Sequence, residues 1–128
     1  MPANMKSATL ILQNAVRIVG AVLIVLGFLF WTGHAFGLIR LHMDLGFVLV
    51  ALLWILSLIG ARARLPWALV GVSIAWGVLV LAFGTSMGRI LPGRSHEVVR
   101  VLHFLIGLIA IGLSESLALR IKRRIVSV

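Results

Sequence analysis

The chain has 128 residues, of which 62% are hydrophobic and only 12% charged, and it carries a formal net charge of +9 with just three acidic side chains. A soluble domain has about a quarter of its residues charged, so this composition excludes a water-soluble fold. The absence of cysteine excludes disulfides, thiolate metal sites, iron–sulfur clusters and covalently attached c-type haem, so any redox chemistry must use a non-covalent cofactor.

Four apolar runs follow one another. The first extends from Ile18 to about Ile39, between Arg17 and Arg40, and predicts a span over residues 15–38. It is longer than the apolar core of a cleavable secretory signal, about 7–15 residues, and ends on the bulky Phe36 and Leu38, so it reads as a retained span. The second runs from about Leu45 to Ala61, is extended outward by His42, Met43 and Asp44, and predicts a span over residues 42–61 that stops at Arg62 and Arg64. The third opens on Pro66, a residue suited to the first helical position, and predicts 66–88, closed by Arg89, Pro92 and Gly93. The fourth predicts 98–119 and ends in the basic cluster Arg120, Lys122, Arg123 and Arg124.

Four spans of about 20 residues with short connections account for nearly the whole chain. The expected fold class is an all-α integral membrane protein, a four-transmembrane-helix up-down-up-down bundle, forming a single domain over residues 1–128. Lys6, Arg17, Arg62, Arg64, Arg120, Lys122, Arg123 and Arg124 collect on one side, against Arg40, Arg89, Arg94 and Arg100 on the other. By the positive-inside bias both termini are cytoplasmic, and the expected location is a bacterial inner membrane. The C-terminal cluster reads as a topology signal beside anionic lipid, and no soluble basic element is available to read nucleic acid.

On this topology all four histidines, His34, His42, His96 and His103, fall toward the outer side. His42 precedes Gly46 by four residues and His103 precedes Gly107 by four, so each has a glycine one turn away on its own helical face. A planar macrocycle held between two imidazoles needs ligands on facing helices and no bulky side chain one turn from each. Two HxxxG pairs meet that need. Metal–imidazole bonds near 2 Å would put the two ligand nitrogens about 4 Å apart, and the second nitrogen of each ring would need a Ser, Thr, Asp or carbonyl partner. His34 is a reserve ligand or a donor to a propionate or quinone, and His96, between Ser95 and Glu97, reads as interfacial.

The six phenylalanines, Phe28, Phe30, Phe36, Phe47, Phe83 and Phe104, share the outer half with Trp31, which suits a pocket for a flat apolar ligand. Arg40 and Arg100 could pair with propionates. Gly20 and Gly27 of the first helix, in step of seven with His34, and Ser73, Gly77, Gly84 and Gly88 of the third read as helix-packing stripes, as do Gly33 and Gly37. Ser57 and Ser114 lie inward on the faces of the two candidate ligands. Glu115 is a candidate for proton handling or for pairing with Arg120, and Asp44 for pairing with Arg40 or orienting a histidine.

Four spans with His42 and His103 on the second and fourth resemble the four-helix membrane b-type cytochromes. That resemblance implies haem b held by His42 and His103 and a quinone or another membrane redox protein as partner. No histidine lies on the cytoplasmic side, so one haem at most is expected. Two other readings stand beside it. One is a Cu or Zn site built from the same histidines with Met43 or Met87. The other is a non-catalytic four-span protein, an assembly factor, accessory subunit or small transporter component, homo- or hetero-oligomeric in the bilayer. No nucleophile, phosphate-loop or metalloprotease motif is present, so independent enzyme activity is not expected.

Overall fold

A computed structural model describes residues 2–91 and 93–127 of the chain. Four helices, each long and apolar enough to cross a membrane, make up nearly all of it: α1 (Pro2–Trp31), α2 (Ile39–Arg62), α3 (Trp67–Ser86) and α4 (His96–Val126). There is no strand among the described residues. Helices α2 and α4 touch each other and both remaining helices, while α1 and α3 flank them on opposite sides. His42 meets His103, and Gly60 meets Leu117, so α2 and α4 run parallel, as an up-down-up-down order requires.

Helix α1 begins well before its apolar run because Thr9, Gln13, Val16 and Gly20 form a buried stripe at helical spacing. The polar members of that stripe are satisfied. Thr9 bonds back to the Met5 carbonyl at 2.8 Å. Gln13 donates to Glu115 at 2.6 Å and accepts from Lys122 at 2.7 Å. Arg17 donates from Nε to the same carboxylate at 2.6 Å. Glu115 is therefore joined to α1 and not to Arg120, whose Nε donates to Ser116 Oγ at 3.3 Å. The partner lies 98 positions away in sequence, so only the packing of α1 against α4 could reveal it.

The helix also stops earlier than the apolar run. Gly33 takes the left-handed conformation, φ 84°, at the position that closes a helix: its N–H bonds the Phe30 carbonyl and the N–H of His34 bonds Leu29 at 2.7 Å. A short 3-10 turn, Phe36–Leu38, then leads into α2. The far end of α2 closes in the same way. Leu65 N–H reaches Gly60 O at 2.9 Å and Arg64 N–H reaches Ala61 O at 3.1 Å, with Arg64 itself left-handed at φ 58°. Pro66 serves as N-cap of α3, one position before its first turn. Pro92, the predicted loop signal between α3 and α4, lies outside the described residues.

The buried core is built from Leu49, Leu53 and Leu56 of α2 with Ala110, Leu117, Ala118 and Ile121 of α4, joined by Val16, Leu65 and Val70. Two tryptophans hold α3 to this pair. Trp54 Nε1 donates to the Ile74 carbonyl at 3.1 Å, and Trp76 Nε1 donates to Ile106 at 3.0 Å. Indole N–H groups need such partners once buried. The core fills the basic end of the bundle and leaves the histidine end open inside.

Candidate functional site

That open end is a cavity of about 360 Å³ walled by all four helices. Each helix contributes one glycine to its lining: Gly27, Gly46, Gly84 and Gly107. The rest of the wall is largely aromatic and aliphatic, with Phe28, Phe30, Trp31, Phe36, Phe47 and Phe104 among its members. Its volume falls within the usual range for small-molecule sites, roughly 300–1,000 Å³, and so does its apolar lining with few polar groups.

His42, about one turn into α2, and His103, about two turns into α4, face each other here. Their ring centroids are 6.1 Å apart, with planes inclined at 51°. Phe30 meets His42 edge-on at 5.4 Å, and Phe83 lies near-parallel to His103 at 6.2 Å. Phe28 and Phe104 close one side in a T-shaped contact at 5.5 Å. All six phenylalanines thus belong to this end, five in the wall and Phe83 against a histidine.

The Nδ1 atoms of both histidines are buried and have no hydrogen-bond partner. Leaving a buried polar atom unsatisfied costs roughly 1–3 kcal/mol, and such atoms are rare in folded proteins. Ser57 and Ser114 do not relieve them, because each hydroxyl donates to a carbonyl four residues back on its own helix, Leu53 O at 2.8 Å and Ala110 O at 2.9 Å. Asp44 does not either. Among the described residues the ion pairs are Arg17–Glu115 and Arg100–Glu97, so the expected Asp44–Arg40 pair is absent too. An exposed pair of that spacing with the cation N-terminal is the weaker orientation and contributes little.

The remaining predicted residues separate. Arg100 lines the cavity mouth and pairs with Glu97 at 2.8 Å, while Arg40 is exposed and lies outside the wall. His34 is exposed in the turn after α1, with Nδ1 3.2 Å from the Thr32 hydroxyl, and it does not line the cavity. The closure of α1 at Gly33 carries it off the helix face where residues 20 and 27 lie. His96 opens α4, half-buried, with Nδ1 3.4 Å from Ile90 O. Met43 and Met87 reach the cavity, yet no group of three or more His, Asp or Glu side chains able to hold a metal ion occurs among the described residues.

The glycines divide by role in a way the spacing does not reveal. A Cβ at Gly46 or Gly107 would meet nothing within 4 Å, so these positions open directly onto the cavity. A Cβ at Gly27 would lie 4.0 Å from His42 Cε1, and one at Gly84 would lie 3.5 Å from His103 Cε1. The flanking helices therefore face each imidazole with a bare backbone. The seven-residue steps Gly20–Gly27 and Gly77–Gly84 carry that signal, but assigning them to a site requires knowing which helix each stripe faces.

No family model, no curated protein and no solved structure matches this chain.

Proposed function

We propose that the protein is a small integral membrane haem-binding protein that holds one haem b between His42 and His103 and serves electron transfer at the outer side of a bacterial inner membrane. The observation that carries this reading is the pair of imidazoles that face each other in a glycine-floored aromatic cavity; the partners expected for their second nitrogens are not supplied by Ser57, Ser114 or Asp44. Two imidazoles that would hold one group between them must face each other across a short gap. The rings stand at 6.1 Å. The donor set suits the group as well: two imidazoles, no thiol, and no carboxylate in the cavity wall.

In this reading His42 and His103 hold the iron, the four glycines leave room for the macrocycle, and the phenylalanines exclude water from its faces. Arg100, at the cavity mouth, pairs with a carboxylate of the ligand as it does with Glu97. Bound there, the haem supplies one-electron oxidation and reduction, with a quinone or a membrane redox protein as exchange partner. The outward-facing apolar side chains, Ile11, Ile18, Val25, Leu58, Val72 and Val78 among them, suit contact with lipid, and the Lys and Arg excess at the other end supports cytoplasmic termini.

The test is an absorption spectrum of detergent-purified protein with and without added haem. The expected result is an intense Soret band that sharpens on reduction. Gly107→Leu should remove that band while leaving thermal stability within about 1 kcal/mol, since leucine is the better helix former and its side chain enters open space. A colourless wild type that takes up no added haem overturns the proposal.

A further inference from the structure

A second concavity, of about 350 Å³, lies at the opposite end of the bundle and is lined by Leu65, Pro66, Arg120, Arg123, Arg124 and Ser127. The three arginines fall on one face of α4, and Ser127, the C-cap of that helix, follows them at spacings of three and four. Lys122 is turned the other way and is occupied by Gln13. The far wall is fixed by the closure of α2: Leu65 is 5% exposed and its N–H is tied to Gly60 O at 2.9 Å.

Among the described residues no acidic side chain neutralises this cluster. The acidic side chains of the chain are Asp44, Glu97 and Glu115. Asp44 and Glu97 stand at the histidine end, and Glu115 is engaged by Arg17 and Gln13. Pro66 adds a field of the same sign, because it is the N-cap of α3 and no side chain caps that helix. A topology signal requires only that cations be on one side. It does not require three guanidinium groups from one helical face to share a pocket with a rigid turn. Guanidinium is the side chain suited to bidentate contact with phosphate, and the exposed Trp67 beside the pocket, 79% accessible, is a residue type enriched at the headgroup level.

We infer that this pocket binds the phosphate of an anionic phospholipid headgroup, with Arg120, Arg123 and Arg124 as its ligands. The site rests on the bilayer reading of the four helices and is independent of haem. Full-length protein in detergent is titrated with phosphatidylglycerol, phosphatidylcholine and inorganic phosphate, with bound lipid counted by native mass spectrometry. Phosphatidylglycerol is expected to be retained at least about tenfold more tightly than phosphatidylcholine. The triple variant Arg120→Gln, Arg123→Gln, Arg124→Gln should lose that preference, while Arg40→Gln, Arg89→Gln, Arg94→Gln, equal in charge, should keep it.

If the triple variant melts before the wild type, Arg123→Gln against Arg123→Lys decides, with about a fivefold loss expected for Gln and less for Lys. Equal losses in the two triple variants, or no loss at all in Arg123→Lys, would overturn the site in favour of diffuse attraction. Inorganic phosphate that displaces the lipid at matching concentration would overturn its assignment to a lipid and make it a site for free phosphate.

Discussion

Replacing His103 with alanine is expected to weaken haem binding at least about hundredfold and to leave the bundle folded. Loss of an outer-shell partner of a metal ligand already costs about 10–100-fold in affinity, and His103 is proposed as the ligand itself. Stability should hardly change, for two opposed reasons. The ring packs against Phe83 and His42, and its removal forfeits those contacts. Its Nδ1 is also a buried atom without a partner, and removing it relieves roughly 1–3 kcal/mol. His42→Ala should behave in the same way, because its Nδ1 is equally orphaned. The pair should be non-additive, since loss of either ligand already abolishes tight binding. His34→Ala and His96→Ala should retain the haem, as neither side chain lines the cavity. Haem affinity by optical titration and melting followed by circular dichroism measure the two effects separately. Wild-type affinity in both His42→Ala and His103→Ala would move the ligands elsewhere.

The second large effect belongs to the packing of α3. The Trp54 indole lies directly over Gly77, so that a Cβ there would overlap its Nε1 and come within 2.9 Å of Cε2. A ring held by its own hydrogen bond to Ile74 cannot yield as the end of a leucine would. Gly77→Ala should therefore destabilise the bundle by about 1–3 kcal/mol through overpacking, with the loss of an interhelical hydrogen bond worth about 0.6 kcal/mol included in that range. Gly112→Ala is the control, because a Cβ there meets nothing within 4 Å. It should be neutral or stabilising by up to about 1 kcal/mol, the helix-propensity gain of alanine over glycine. Thermal melts in one detergent compare the two. Indistinguishable melting temperatures would contradict the account of how α2 receives α3.

The four helices were legible because apolar runs of membrane length are hard to mistake, and charges mark their ends. Where helices stop was less legible. Gly33 reads equally as one member of a packing pair with Gly37 and as the left-handed residue that ends α1, and only the backbone conformation decides. Arg64 hides the same device more fully, since the left-handed position is held by a residue with no compositional signal for it. Within the site, His42 with Gly46 and His103 with Gly107 were visible because each pair sits on one helix. The opposition of Gly27 to His42 and of Gly84 to His103 crosses helices, and so does the bond from Arg17 to Glu115. Periodicity places residues on a face but does not say which face meets which. The same limit applied to the basic cluster, whose spacing puts three arginines together while the turn that walls their pocket comes from α2 and α3.

The proposal is one haem, held by His42 and His103 in the cavity walled by all four helices. Its most direct measurement is an optical titration of the purified chain with haem, with and without His42 and His103. The predicted result is saturation at one haem per chain with the spectrum of a haem carrying two nitrogen ligands, and no saturable binding in the double variant His42→Ala, His103→Ala. Absence of saturable binding in the wild type, or the same saturation in the double variant, would contradict it.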